Sequence, residues 1–214
     1  MKHWVGTSGF SYKEWKGPFY PEDLSNEGML AYYGERLNAV EINNTFYRMP
    51  KRATLADWAD KVPDDFSFVL KASRKITHFK RLKDTQDELS YLVDVSSELG
   101  ERLGPMLFQL PPNLKIDIER LRDFLALLPV GLRAAFEFRH DSWFDDETYA
   151  ILSDAGVALV VADTGPDEPP EVVATAPYGY LRLRRAVYEP GDLARWARVG
   201  LRSEVDGRLR LLQT

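Results

Sequence analysis

The sequence predicts an α/β fold on a parallel sheet: one TIM-barrel-like (β/α) barrel over residues 1–214, with its eighth strand and final helix missing or degenerate. Three observations carry this reading. Short β-rich apolar runs recur seven times, and apolar positions at helical spacing occupy five of the six gaps between them. Across 214 residues there is no repeat, low-complexity tract or linker that would divide the chain.

In order, the runs are Trp4 to Gly6, Ala39 to Ile42, Phe66 to Leu70, Pro105 to Leu110, Ala134 to Phe138, Val157 to Ala162 and Gly179 to Leu183. Their continuous apolar character is that of strands buried on both faces. Between them lie Met29, Leu30, Tyr33 and Leu37; Leu55, Trp58 and Val62; Leu89, Leu92, Val93 and Leu99; Ile118, Leu121, Leu125 and Leu128; and Tyr149, Ile151 and Leu152. Each set lies on one face of a 3.6-residue helix. Asp145-Asp146-Glu147 supplies acids for a helix start, and Gly100, Gly131, Gly156 and Gly200 stand where helices stop. The sixth gap, Thr164 to Pro177, carries four prolines and reads as an irregular connection. Leu193, Trp196 and Val199 form a last amphipathic helix. Only Gly207 to Leu212 can supply an eighth strand, and 200–214 reads as an atypical tail.

Composition narrows the chemistry. With 44% apolar, 12% aromatic and 29% charged residues the chain is globular, and the absence of cysteine excludes disulfides, thiolate metal sites and cysteine nucleophiles. The amino terminus lacks a signal-peptide stretch and no segment has the uncharged run of a membrane helix, so a cytoplasmic protein with no membrane partner is expected. A net charge of −5 argues against indiscriminate nucleic-acid binding. The stretch Lys71 to Lys83, however, holds six positive charges and no acid.

Ligand sites of parallel α/β folds form at the carboxyl ends of the strands, so the residues there decide function. If Val40 and Ile42 face the helices, Glu41 and Asn43 face inward, where a carboxylate is costly unless paired or used. Glu41, Glu137, Lys71 and Asp163 are the candidate catalytic residues, with Glu41 and Glu137 as the acid–base pair. Thr7, Ser8, Tyr12, Trp15, Asn43, Thr45, Tyr47, Gln109, Arg139, His140, Trp143, Arg182 and Arg184 are candidate substrate contacts. The ordinary alternative is a salt-bridge network filling the polar end of the barrel. The basic loop, with Arg74, Lys75, Lys80 and Arg81, follows the third strand and gives the mouth a cationic rim suited to a small anionic ligand or a nucleic-acid backbone. No cofactor is predicted: there is no Walker loop, dinucleotide fingerprint or hydrolase elbow, and the three histidines lack zinc spacing. A divalent metal on Glu41, Glu137 and Asp163 stays open.

The run Gly6 to Tyr12 with Trp15, then Val40 to Tyr47, Phe68 to Ser73 with Thr77-His78, Phe108 to Pro112, Phe136 to His140 with Trp143, Ala162-Asp163-Thr164 and Tyr180 to Arg184 resemble the YecE-like family of unknown function, in the same order and nearly to Trp196. The resemblance implies a TIM-barrel-like fold with a polar pocket at the strand ends, and supplies no reaction; likeness to sugar isomerases and apurinic-site endonucleases is one of fold alone. Two places depart from the family pattern. Arg184-Arg185 replaces a His-Gly-Arg run, and the end lacks the aromatic eighth strand, so an open seam between the first and seventh strands is expected, partly covered by the tail or another subunit. The expected function is an isomerase, lyase or hydrolase acting on a small anionic or phosphorylated, sugar-like substrate. The alternatives are a nucleic-acid-binding protein gripping phosphates with the basic loop, and an inactive truncated barrel.

Overall fold

A computed structural model describes residues 2–165, 172–202 and 208–213. Along the chain run β1 (Trp4–Ser8), α1 (Met29–Gly34), β2 (Ala39–Ile42), α2 (Asn44–Tyr47), α3 (Arg52–Asp60), β3 (Ser67–Leu70), α4 (Gln86–Ser96), β4 (Met106–Gln109), α5 (Ile118–Ala126), β5 (Ala134–Glu137), α6 (Asp146–Asp154), β6 (Ala158–Asp163), β7 (Tyr178–Leu183), α7 (Pro190–Arg202) and β8 (Arg208–Gln213). Local chemistry accounts for the ends of these elements. Asp145 caps α6 by accepting hydrogen bonds from the amides of Glu147 and Thr148, and Gly156, at φ 62°, turns the chain out of that helix. No helix among the described residues is long and apolar enough to cross a membrane.

All strand pairs are parallel, in the order β3-β2-β1-β8-β7-β6-β5-β4. The end strands β3 and β4 share no ladder. They meet through two isolated bridges, Phe68 with Leu103 and Lys71 with Leu107, and through hydrogen bonds from Gly104 N to Phe68 O (2.6 Å) and Ala72 N to Leu107 O (2.8 Å).

This overturns the open seam expected between the first and seventh strands. β8 lies there, paired with β1 from Trp4–Arg210 to Thr7–Gln213 and with β7 from Tyr178–Arg208 to Leu183–Gln213. The physical reason is main-chain: two facing strand edges carry unpaired N–H and C=O groups, and any extended segment between them satisfies both rows whatever its aromatic content. Gly207, counted in the expected strand, lies outside the described residues, as do residues 166–171 of the proline-rich sixth connection. Short helical turns after β2 and β3 were not anticipated: α2, and a π-helical turn at Lys75–Phe79.

Alternation divides the side chains of each strand between two faces. Trp4, Ala39, Val69, Leu107, Ala135, Ala158, Val160, Tyr178 and Tyr180, drawn from β1 to β7, meet in one apolar cluster, so the sheet curls around them. The opposite face packs under the helices, through Val40, Ile42, Phe68 and Leu70 on one side and Met106, Phe108, Phe136 and Leu159 on the other. The same parity that places Ala39, Leu107, Ala135 and Tyr180 inside places Glu41, Gln109, Glu137 and Arg182 inside as well, two residues further toward the carboxyl ends.

Candidate functional site

Arg182 is the centre of the polar layer above that cluster. Its side chain is 2% exposed and bridges two carboxylates: Nη2 donates to Glu41 Oε1 at 2.8 Å and Nη1 to Glu137 Oε2. Both glutamates are completely buried. Glu41 Oε1 also accepts from Ser8 Oγ (2.8 Å), and Oε2 from Tyr180 OH (2.7 Å). Glu137 Oε1 accepts from Gln109 Nε2 (2.9 Å) and pairs with Arg139. Gln109 Oε1 in turn accepts from Lys71 Nζ at 2.8 Å. One connected network thus runs over β1, β2, β4, β5 and β7 and the residue after β3.

The electrostatics follow from burial and neighbours. Burial alone would raise the Glu137 carboxyl, but Arg182, Arg139 and the Gln109 hydrogen bond outweigh it and hold the group below its usual range. Tyr180 is driven well above the usual phenol range by burial and then by Glu41. Lys71 is pushed down to about 8, first by burial, then by Arg182 and Arg184, with Glu41 and Glu137 offsetting part of this. Glu41 and Glu137, expected as the acid–base pair, are thus brought together by Arg182, with their oxygens engaged by hydrogen-bond donors.

Strand parity removes other expected residues from the cluster. Asp163 faces the helices, where Oδ1 accepts from Arg185 Nε (2.8 Å) and Oδ2 from Trp196 Nε1 (2.9 Å), so it ties β6 to α7. The metal option on Glu41, Glu137 and Asp163 fails for the same reason: Asp163 is on the other face and Arg182 stands between the glutamates. Among the described residues no three metal-ligating side chains gather around a common point. Thr7 faces outward, its hydroxyl on Gly9 O (2.6 Å) and beside Tyr33 OH (3.0 Å). Trp143 is fully buried, stacked on Phe138 at 4.6 Å and donating to Leu114 O (2.7 Å), which makes it core rather than a ligand contact. His140 Nδ1 accepts from Ser142 N (3.2 Å) and caps a turn. Thr45 is buried and its hydroxyl serves the carbonyls of Ile42 and Lys71, clamping β2 to β3. Asn43 is half-buried at the start of α2, and Trp15 packs against Tyr12, Phe19 and Tyr20.

The mouth holds the remainder. Tyr12 OH donates to Ser8 O, and its phenol is raised by burial and by Glu41. Phe46, not among the expected contacts, lies 4.4 Å from Lys71 Nζ and makes edge contacts with Tyr47 and His78. Burial, then Lys71 and Arg81, pushes His78 down. Arg184 is exposed and makes no ion pair among the described residues. Arg74 sits 5.6 Å from the Tyr47 ring and 5.3 Å from the Phe79 ring, both rings largely exposed.

Two cations of the basic loop are already paired. Lys75 Nζ and Lys80 Nζ bind the two oxygens of Glu88, at 2.7 and 2.8 Å, and Arg81 reaches toward Asn113. Glu88 stands in α4, beyond the run itself, and the hydrogen bonds from Lys75 and Lys80 hold its carboxyl down to about 2 against an ordinary 4.5. Because the folded value lies below the unfolded one, Glu88 stabilises the fold above pH 4.5, and that contribution is lost as pH falls toward 2. Urea midpoints measured from pH 6 to pH 2.5 should fall less steeply in Glu88→Gln than in the native chain; parallel curves would show that the latch contributes nothing.

A sequence model of the family described as "Protein of unknown function DUF72" matches residues 4–206. The chain belongs to this family. Two curated relatives agree: the chain is 30% identical over 143 residues to UPF0759 protein YecE of Escherichia coli (strain K12), covering 64% of this chain and 53% of that protein. It is 25% identical over 155 residues to UPF0759 protein YunF of Bacillus subtilis (strain 168), covering 68% and 54%. This DUF72 chain therefore spans about half the length of the curated relatives it matches. Among solved structures, a DUF72 family protein of Thermotoga maritima MSB8 superposes with a TM-score of 0.86 at 29% identity, covering all of this chain and 92% of that one. A DUF72 family protein of Enterococcus faecalis V583 gives a TM-score of 0.83 at 18% identity, covering all of this chain and 89% of that one, a likeness of fold alone. The family expected from the strand-end residues is thus confirmed; its description names no function, and none is carried over.

Proposed function

We propose that this DUF72 chain is a TIM-barrel-like enzyme that binds a small anionic substrate, phosphorylated or carboxylate-bearing, at the carboxyl ends of its strands. The observation that carries the reading is charge balance. Glu41 and Glu137 are saturated by Arg182, Arg139 and neutral donors, while Lys71 and Arg184 border the same group without an acid partner among the described residues. A mouth with two unmatched cations beside a low-dielectric layer attracts an anion. Arg182 Nε adds a buried donor with no hydrogen-bond partner among the described residues, whose desolvation cost of about 1–3 kcal/mol a ligand oxygen would relieve. The barrel reading is supported by seven strands packing one inner cluster and by the backbone bonds joining β3 to β4.

Inorganic phosphate tests this. At 10 mM phosphate and constant ionic strength, a site with a Kd of about 1 mM should add roughly 1.4 kcal/mol and raise the melting temperature by about 3–5 °C. Arg184→Ala should abolish the rise. An unchanged melting temperature in the native chain would overturn the reading, and a rise only with oligonucleotides, lost on Arg74→Glu, would favour nucleic acid instead.

A further inference from the structure

We propose that the ε-amine of Lys71 forms an imine with the carbonyl carbon of the anionic substrate, which is therefore a small aldehyde or ketone bearing a phosphate or carboxylate. This deepens the anion-site reading and rests on it.

The placement of the amine carries the inference. Among the described residues Lys71 makes no direct contact with a carboxylate. Here Gln109 stands between: its oxygen accepts from Lys71 Nζ at 2.8 Å while its nitrogen donates to Glu137 at 2.9 Å. The amide keeps the acid from stabilising an ammonium ion by contact. Lys71 is only 8% exposed, with the Phe46 ring centroid 4.4 Å from its amine, and the Thr45 hydroxyl fixes the backbone of Lys71 through its carbonyl at 2.7 Å. Arg182 and Arg184 further disfavour a third positive charge, consistent with a lysine near 8. At pH 7.5 about a quarter of such an amine is neutral, against about 0.1% of an ordinary lysine, a gain of roughly 200-fold in nucleophile.

The chemistry balances without an added reagent. The amine lone pair attacks the carbonyl carbon, the C–N bond forms, and the carbonyl electron pair moves to oxygen, which takes one amine proton. The resulting hydroxyl leaves as water with the second amine proton as C=N forms. Arg184, which borders the same group without an acid partner among the described residues, is placed to meet the substrate anion, and the imine then provides an electron sink for proton removal or C–C cleavage next to it.

The full chain is incubated at pH 7.5 with pyruvate, dihydroxyacetone phosphate or uncharged acetone, each with sodium cyanoborohydride, and mapped by peptide mass. The expected result is a single reduced adduct at Lys71 with at least one anionic probe, ten-fold or more above acetone and cut to the acetone level in Arg184→Ala. In Lys71→Arg the adduct is lost while phosphate still raises the melting temperature, which also reports that the variant folds. Competitive acetylation over pH 6 to 11 should place the Lys71 midpoint near 8. Adducts scattered over exposed lysines, or a midpoint near 10.5, while phosphate still stabilises the chain, would overturn the imine alone; loss of phosphate binding in the native chain would overturn the anion site beneath it.

Discussion

Arg182→Met should destabilise the chain by about 3–5 kcal/mol, the largest loss expected from any single substitution in the site. The guanidinium lies between two completely buried glutamates on a side chain that is 2% exposed. Methionine fills much of the volume but leaves Glu137 with Arg139 and Gln109 only, and Glu41 with the hydroxyls of Ser8 and Tyr180. Removing one partner of a buried pair strands the other charge, and that desolvation is the bulk of the effect. The remedy should be equally specific. Glu41→Gln on the Arg182→Met background removes a stranded charge, keeps the Ser8 and Tyr180 contacts, and should recover at least 1.5 kcal/mol in urea unfolding. The sign of the pH dependence should also invert. In the native chain the Glu137 carboxyl is held low, so its contribution is present at neutral pH and lost on acidification. In Arg182→Met its leading cation is gone and burial dominates, so the variant should be more stable at pH 5 than at pH 8. Additive losses in the double variant, or a variant that keeps the native pH profile, would show that Arg182 is a spacer and not the electrostatic centre.

How much of this was legible in the sequence depended on parity. The two-residue period places Glu41 between outward-facing Val40 and Ile42, and the same period run along β4, β5 and β7 gives Gln109, Glu137 and Arg182. Tyr180, which completes the Glu41 shell, was missed although it stands two residues before Arg182 on the same face. Applied strictly, the rule also excludes Thr7, one residue off from Gly6 and Ser8, and Asp163, which shares the face of Leu159 and Val161. Those two were read as site residues from their position at a strand end, and position without parity does not fix the direction of a side chain. The Glu88 latch is a different kind of omission. A charge run reports its own sign and nothing of an acid that a following helix brings back to it, so Lys75 and Lys80 looked free when they are paired. Trp143 looked like a loop aromatic because the turn that carries it folds back onto Phe138.

Removing β8, by ending the chain at Arg202, should cost more than any point variant, because that strand alone joins the two halves of the sheet by ladders on both sides. Without it β3-β2-β1 and β7-β6-β5-β4 are separate sheets, joined in their backbones, among the described residues, only by the bridges between β3 and β4. Two strand edges then lie open, each a row of unpaired amide and carbonyl groups. The inner apolar cluster still spans both halves, and the polar network ties them as well: Glu41 belongs to β2, whereas Arg182 and Tyr180 that bind it belong to β7, and Lys71 after β3 bonds to Gln109 of β4. The site is therefore also a staple, and the two losses should couple. The truncated chain should lose its single cooperative thermal transition and aggregate at its strand edges, and Arg182→Met in that background should abolish folding altogether. If the truncated chain instead melts in one sharp transition close to the native temperature, the bridges and side-chain network suffice without β8, and the strand's role is confined to covering the edges of β1 and β7.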